Sequence, residues 1–268
     1  MPVLTCSGVE LNYEVKGQGE PLVLLHGLGS SWRDWQYQWE TLGEHFQLIL
    51  PDMRGFGKSS KPPGPYKVDQ YAQDLMALLD HLNIQQTHLL GYSMGGAAAF
   101  QFAVDNPDRL NRLIIVNSTP DFSLDHWRKR LELKVRQTVI RMLGVPTLAQ
   151  LIAKRLFPDP GQEELRAMTI ERYGANEKHA YLSALDGLAG WSIIDRIDQL
   201  VLPTLVLAAE HDYTPFAEKE AYVARMPNAQ LVQIKDSRHG TPMDQPQVFN
   251  DLVLSFLRSE DSQEEAVS

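Results

Sequence analysis

A serine between two glycines is the first group in this sequence that could do chemistry. It lies in Gly91-Tyr92-Ser93-Met94-Gly95-Gly96, after the apolar run 88–90 and before the apolar run 97–100. This succession predicts a strand, a sharp turn and a helix, with the Ser93 hydroxyl lifted clear of the sheet by a strained backbone. A helix that begins at Met94 would direct its free N–H groups toward negative charge developing beside Ser93. The motif predicts a nucleophile, and the alternative is a small-residue turn with a solvated serine.

A serine hydroxyl needs a base, usually a histidine that a carboxylate orients. Among the eight histidines, His26 and His239 follow predicted strands, where the site residues of open α/β sheets gather. We predict that His239 is the base, because the polar loop 236–240 could place its imidazole over the sheet edge. The alternative is an ordinary surface histidine. His26 is expected to brace an earlier loop.

The orienting carboxylate is predicted to be Asp212, which follows the apolar run 205–208. The alternative is an aspartate that only caps the following turn. Glu210 is a rival in the same loop, and Asp121 is a rival after a neighbouring strand. With Asp212 as the acid, Ser93, Asp212 and His239 follow one another along the chain as nucleophile, acid and base. This is the order found in one known class of Ser-Asp-His hydrolases.

The elements that would position these residues are short apolar runs separated by helical patterns. The runs are 22–25, 48–50, 88–90, 113–116 and 205–208. Continuous apolar runs are typical of strands covered on both faces, and their alternation with helices predicts a mostly parallel α/β sheet. An antiparallel hairpin is predicted before them, because Val9, Leu11, Tyr13 and Val15 alternate with polar residues.

The alternation pauses after residue 120, where scattered aromatics and proline or glycine breaks predict several short helices. We therefore assign residues 1–120 and 197–258 to the core and residues 121–196 to a helical insertion over the sheet. Residues 259–268 are polar and acidic and are expected to form a flexible tail.

Composition excludes several classes of function. The chain has 268 residues, 43% hydrophobic residues and a net charge of −9, which disfavours nucleic acid or an anionic membrane as a partner. One cysteine, Cys6, excludes an internal disulfide and any multi-cysteine metal site. The N-terminal residues lack a signal sequence and no run is long enough to span a bilayer, so a cytoplasmic protein is expected. The oligomeric state is not readable.

Taken together, these residues resemble the α/β-hydrolase superfamily over nearly the whole chain. The resemblance is carried by His26-Gly27-Leu28-Gly29, Asp52 to Ser59, Gly91 to Gly96, Asp212 and His239. It implies an α/β-hydrolase fold with a mostly parallel central sheet, flanking helices and a helical cap inserted after the sixth strand. It also implies that the backbone N–H groups of Leu28 and Met94 form an oxyanion hole, and that Asp52 to Ser59 is a structural loop.

By this resemblance, the protein is expected to be a serine hydrolase that cleaves carboxylic esters through an acyl-enzyme intermediate. Its substrate would be a small-molecule ester. A serine at position 93 argues against the dehalogenase and epoxide-hydrolase branches, which resemble this fold but use a carboxylate nucleophile. Enol-lactone hydrolysis, carbon-carbon bond hydrolysis and perhydrolysis use the same machinery and stay open. The menaquinone-pathway synthase is disfavoured by Ala97 to Ala99, where an arginine is expected. Gly240 departs from the carbon-carbon hydrolases, which usually have an aromatic residue there.

One alternative comes from another class: a hydrolase-fold ligand receptor with slow or no turnover, against which the intact set of Ser93, Asp212 and His239 argues. No metal or organic cofactor is implied, because activating a hydroxyl needs neither. Family members often have a small residue before the base, whereas this chain has Arg238. Its side chain could either reach into the cavity entrance or point to solvent.

Overall fold

A single mostly parallel sheet organises the molecule. In a computed structural model, which describes residues 2–6 and 8–259, the sheet has eight strands in the order β1-β2-β4-β3-β5-β6-β7-β8. The strands are β1 (Val3–Cys6), β2 (Val9–Lys16), β3 (Glu20–Leu25), β4 (Phe46–Pro51), β5 (Thr87–Tyr92), β6 (Leu110–Val116), β7 (Thr204–His211) and β8 (Ala229–Arg238). The β1-β2 and β2-β4 pairs are antiparallel, and every pair from β4 to β8 is parallel. The predicted opening hairpin and parallel sheet are both confirmed.

Helices cover both faces of this sheet. They are α1 (Trp39–Gly43), α2 (Val68–His81), α3 (Met94–Asp105), α4 (Trp127–Leu156), α5 (Glu163–Gly174), α6 (Lys178–Leu188), α7 (Phe216–Val223), α8 (Thr241–Asp244) and α9 (Pro246–Arg258). None of the helices in the described part of the chain has both the length and the apolar composition of a bilayer span.

The continuous apolar strands are buried on both sides, as their composition predicts. In β3, Val23 and Leu25 belong to a core with α2 and α3, whereas Leu22 and Leu24 belong to a second core with α9. Alternate residues of one strand therefore pack against opposite helical layers, because side chains along a strand point to alternate faces.

A helical segment lies between β6 and β7, which confirms the predicted insertion after the sixth strand. Its first helix, α4, is interrupted at Gly144 (φ 82°, ψ 170°), and Pro146 follows this break. Asp121 and Ser192 form an isolated antiparallel bridge that ties together the two ends of the segment. The boundaries 121–196 are consistent with this closure and stay a prediction.

Two local elements differ from the expected ones, and most of the expected tail is not described. The loop predicted at 236–240 begins later, because β8 continues to Arg238 after a register shift against β7. The spacing of Trp35, Trp39 and Leu42 predicts one helix, but these residues are divided between a 3₁₀ helix, Trp32–Trp35, and the short α1. Of the predicted acidic tail, residues 260–268 lie outside the described residues.

Parallel strands direct their carboxyl ends to the same edge of the sheet. Ser93 follows β5 directly, Asp212 follows β7, and His239 follows β8. Three residues far apart in sequence therefore reach one edge, which is where open α/β sheets bind their ligands.

Candidate active site

Ser93 occupies the turn between β5 and α3. Its dihedral angles, φ 54° and ψ −115°, are rare for a residue with a side chain and cost free energy. A Cβ atom on Gly95 would overlap carbonyl oxygens at the end of β3, and one on Gly91 would overlap the carbonyl oxygen of Gly95. Glycines on both sides thus allow β3, β5 and α3 to approach closely enough for this turn.

The three residues predicted for proton transfer lie in direct contact. The Nε2 atom of His239 is 2.9 Å from the Ser93 hydroxyl oxygen, and its Nδ1 atom is 2.5 Å from Oδ1 of Asp212. An ionised carboxylate can only accept hydrogen bonds, so Nδ1 carries the proton. Nε2 is then the acceptor for the Ser93 hydroxyl, which is the arrangement that allows it to take up that proton.

The two rival carboxylates bind elsewhere. Asp121 accepts hydrogen bonds from the backbone N–H of Ser123 at 2.9 Å and from its hydroxyl at 3.0 Å. Glu210 accepts the backbone N–H of Asp236 at 2.9 Å. Asp121 stabilises the segment after β6 and Glu210 joins β7 to β8, and neither takes the place of Asp212 beside the imidazole.

Asp212 also binds Lys219, a residue that the sequence analysis did not single out. The Lys219 ammonium lies 2.7 Å from Oδ2 of Asp212, and both side chains have 0% exposure. It also donates to the carbonyl oxygen of Thr214 at 2.9 Å. Burial acts to raise the pKa of Asp212, but the charges and hydrogen bonds of His239 and Lys219 outweigh burial and hold that pKa well below its usual range. The carboxylate is therefore ionised and held at both oxygens.

Aromatic rings enclose the imidazole. The Tyr213 ring stacks on His239 with centroids 4.2 Å apart and planes 19° apart, and Tyr92 lies at 5.4 Å. The guanidinium of Arg155 lies 4.1 Å from the Tyr213 ring centroid. Burial raises the pKa of Tyr213 to about 12, so this ring is neutral. The imidazole is thereby restricted to the orientation that joins Ser93 to Asp212.

Asn117, at the end of β6, holds the segment that carries His239. Its side-chain amide donates to the carbonyl oxygen of His239 at 2.9 Å and to the Thr241 hydroxyl at 2.7 Å. Its carbonyl oxygen accepts the N–H of Ala209 at 2.8 Å. Asn117 is 2% exposed, so one buried amide joins the segments that carry the base and the acid.

His26 is fully buried and links two loops. Its Nε2 accepts the backbone N–H of Met53 at 2.9 Å, so Nδ1 is the donor to the carbonyl oxygen of Gly27 at 2.8 Å. Burial lowers the pKa of His26 despite nearby carboxylates, which keeps the ring neutral. A trans peptide directs C=O and N–H to opposite sides, so the N–H of Leu28 points away from His26. His26 thus fixes the orientation of this amide.

The Met94 amide is oriented in a similar way. The carbonyl oxygen of Ser93, in the same peptide group, accepts the Ser118 hydroxyl at 2.7 Å and the N–H of Gly96 at 2.9 Å. Met94 is the first residue of α3, and its N–H has no acceptor within the helix. Leu28, Ser93 and Met94 line one cavity. Two amides there can stabilise negative charge on an oxygen bound next to the serine.

Comparison with known proteins identifies the family. A family model described as the alpha/beta hydrolase fold matches residues 20–246, which is most of the chain. The chain belongs to this family. Among curated relatives, it is 30% identical over 263 residues to 3-oxoadipate enol-lactonase 2 of Acinetobacter baylyi, with 95% of this chain and 96% of the relative covered.

Two further similarities show the range of activities among related α/β hydrolases. The chain is 30% identical over 259 residues to the RutD protein of Caulobacter segnis, whose name assigns it carbamate hydrolysis provisionally, with 91% and 95% coverage. Among solved structures, a thermophilic esterase from Thermogutta terrifontis is 30% identical with a TM-score of 0.86, and 96% of each chain is covered. These similarities support hydrolysis of a small molecule but leave the scissile bond open.

In this α/β hydrolase, a cavity of about 370 Å³ opens beside Ser93 and His239. Part of its wall comes from the sheet edge and part from the inserted helices. The inserted segment contributes, among others, Leu124, Leu133, Arg136, Arg155 and Leu185. The insertion therefore shapes the space available to a substrate. Within the described residues, no group of three or more His, Cys, Asp and Glu side chains is arranged to hold a metal ion.

The loop that follows β4 in the α/β hydrolase is organised around the buried Asp52. Its carboxylate accepts hydrogen bonds from the side chain of Asn12 at 2.9 Å and from the backbone N–H groups of Trp32 at 3.0 Å and Lys58 at 2.8 Å. Gly57 has φ +52°, and a Cβ there would overlap the Asp52 carboxylate. These contacts agree with the structural role expected for this loop.

Arg238, the residue before the candidate base, contacts the insertion. Its Nε lies 3.7 Å from a carboxylate oxygen of Asp159, and its side chain is 32% exposed. Its backbone N–H donates to Asp244 at 2.9 Å. Arg238 thus links the base segment to the inserted segment between α4 and α5, a contact that neither of the two sequence-based alternatives describes.

Proposed function

We propose that this α/β hydrolase is a serine hydrolase that cleaves carboxylic esters through an acyl-enzyme intermediate. Ser93 is the nucleophile, His239 the base, and Asp212 the group that orients the base. The backbone N–H groups of Leu28 and Met94 form the oxyanion hole. The observation that carries the proposal is the unbroken contact from the Ser93 hydroxyl through His239 to Asp212, over 2.9 Å and 2.5 Å.

The first half-reaction forms the acyl-enzyme. The Ser93 oxygen attacks the ester carbonyl carbon while its proton passes to Nε2 of His239. The carbonyl oxygen becomes an oxyanion on the amides of Leu28 and Met94, each worth about 2.7 to 4 kcal/mol where such a donor has been removed. When the intermediate collapses, the C–O bond breaks and the proton on His239 passes to the departing alcohol.

The second half-reaction releases the acid. His239, neutral again, removes a proton from water as the water attacks the acyl carbon. The same amides stabilise the second oxyanion, and the proton returns from His239 to the Ser93 oxygen as the acid leaves. Throughout both steps, the buried carboxylate of Asp212 stabilises the positive charge that develops on the imidazole.

A chromogenic ester assay tests the proposal. Purified wild type and Ser93→Ala are compared on 4-nitrophenyl esters of increasing acyl length, with circular dichroism to confirm that both are folded. We expect turnover by wild type and loss of nearly all of it in Ser93→Ala. Equal rates for the two proteins would remove Ser93 from the mechanism. Absence of turnover on every ester would favour the ligand-receptor alternative.

Lactone hydrolysis is the second candidate, since the chain is 30% identical to a named enol-lactonase and a lactone is a cyclic ester cleaved by the same steps. A panel with one lactone, one dienoic ketone and one carbamate beside the esters separates these candidates by kcat/KM. We further propose that residues 121–196 form a cap that selects the substrate, because this segment contributes part of the cavity wall.

A further inference from the structure

Arg136 lies where the insertion meets the candidate active site. It belongs to α4 and is half-buried. It lines the cavity of about 370 Å³ described above, and it also lines a second, smaller cavity of about 50 Å³. Both cavities reach Ser93 and His239. A cation shared by the walls of both cavities is placed to contact a molecule bound at the serine.

No carboxylate within the described residues forms an ion pair with Arg136. Two other cations of the insertion have such partners: Lys129 lies 3.1 Å from Asp125, and Arg166 lies 2.6 Å from Glu163. A half-buried guanidinium loses part of its hydration, and it normally regains that free energy from an anion. Since none of the described carboxylates pairs with Arg136, a substrate anion is the natural partner.

The second guanidinium nearby adds to the positive charge. Arg155 lines the large cavity and lies over the ring of Tyr213. Both Arg136 and Arg155 act to lower the pKa of Tyr213 against the effect of burial, which means that both charges act near its hydroxyl. Tyr213 in turn stacks on His239, so the positive charge lies close to the reacting groups.

Among the described residues, the acidic side chains that line the large cavity form no ion pair with Arg136. Glu132 and Glu218 are exposed, where water and salt screen them, and Asp121 is bound to Ser123. The smaller cavity has no carboxylate among the described residues that line it. Of the described residues that line this cavity, Arg136 is the one cation apart from His239. The other side chains in its wall are apolar, aromatic or small.

We propose that Arg136 binds a carboxylate carried by the substrate, so that the enzyme prefers esters or lactones that bear a second, ionised acid group. The half-esters of dicarboxylic acids are the simplest members of this class. A planar guanidinium binds a carboxylate through two parallel hydrogen bonds, which would fix the substrate relative to Ser93. This inference rests on the proposed function and names its substrate class.

The test compares matched pairs of esters that differ in one charge. The acyl-side pair is mono-4-nitrophenyl glutarate and 4-nitrophenyl pentanoate; the alcohol-side pair is 4-carboxyphenyl acetate and 4-methylphenyl acetate. For wild type we expect a higher kcat/KM for the anionic member of at least one pair. Arg136→Gln should lower that anionic-to-neutral ratio by about 10- to 100-fold, which is the range of a charge-assisted hydrogen bond. Arg136→Lys should keep part of the preference.

Lys134→Gln is the matched control, because it removes one positive charge from an exposed position of the same helix, outside both cavities. It should leave the ratio unchanged, and thermal unfolding shows whether each variant folds. A ratio that is unchanged in Arg136→Gln, or that falls equally in Lys134→Gln, would overturn the inference. So would the absence of an anionic preference in wild type while Ser93-dependent turnover persists, a result that leaves the proposed function intact.

Discussion

Replacing Lys219 with methionine tests how the acid of the candidate triad is held. The substitution retains an unbranched side chain but removes the ammonium that lies 2.7 Å from Asp212 in a fully buried pair. Asp212 keeps its hydrogen bond to His239 and loses the donor at its other oxygen. Two quantities should therefore change together, the stability of the fold and the pH dependence of the reaction.

The stability loss follows from the buried pair. Breaking such a pair from one side costs about 3 to 5 kcal/mol because the remaining charge is uncompensated. Here we expect the lower value, about 3 kcal/mol, since His239 still binds the carboxylate. In a chain of this size each kcal/mol lowers Tm by roughly 2 to 4 °C, so Tm should fall by roughly 6 to 12 °C.

The pH effect has a definite sign. Without the ammonium, the negative charge of Asp212 attracts a proton to His239 more strongly, and a protonated His239 cannot act as a base. The acidic limb of the kcat/KM profile should therefore move to higher pH.

The assay measures kcat/KM for one ester from pH 5 to 9 and the thermal unfolding of each protein. Arg54→Met is the matched control, because it breaks another buried pair, Arg54 with Asp74 at 2.6 Å, away from the candidate site. The control should lose comparable stability and keep its acidic limb. A Lys219→Met variant with an unmoved limb would show that Lys219 only stabilises the fold and would refute this reasoning.

Three further predictions concern the site and its supports. Asp212→Asn should lower kcat for ester hydrolysis by roughly 10³- to 10⁴-fold, as the equivalent change does in serine proteases. Asp121→Asn should lower kcat far less, and equal losses in the two variants would contradict the assignment of the acid. Gly95→Ala should destabilise the fold by about 1 to 3 kcal/mol, because its methyl group meets backbone oxygens, and an unchanged urea midpoint would argue against this close packing. Burial lowers the pKa of both His26 and His88, so the unfolded chain takes up protons below pH of about 6.5 that the folded chain does not. Stability should fall below that pH by up to about 1.4 kcal/mol per unit for each histidine, and a flat urea midpoint from pH 7 to 5.5 would show that these rings are not held neutral.

The features that could be predicted from the sequence are those with a local signature. The turn at Ser93 follows from glycines at fixed positions between a strand and a helix, because only small residues permit that approach. Asp212 and His239 could be assigned to the same edge of the sheet without knowledge of the strand order. Both follow predicted strands, and parallel strands share one carboxyl edge.

The features that escaped prediction depend on tertiary contacts. Lys219 is a charged residue on a short helix, and only the rotation of that helix buries it against Asp212. Asn117 resembles any polar residue after a strand until the fold brings the segments around His239 and Ala209 to it. In the sequence, Arg136 belongs to a basic cluster with Arg128-Lys129-Arg130 and Lys134, which indicates a solvated helix face. Only its place in the walls of both cavities distinguishes it from its neighbours.

Covalent labelling tests the central claim most directly. A fluorophosphonate reacts with a serine only when a base and an oxyanion site activate it, and mass spectrometry of the digested protein locates the adduct. We predict one label per chain, on Ser93, with loss of esterase activity in proportion to labelling and with little labelling of His239→Ala. A label on a different residue, or full activity in protein whose Ser93 is fully labelled, would contradict the account.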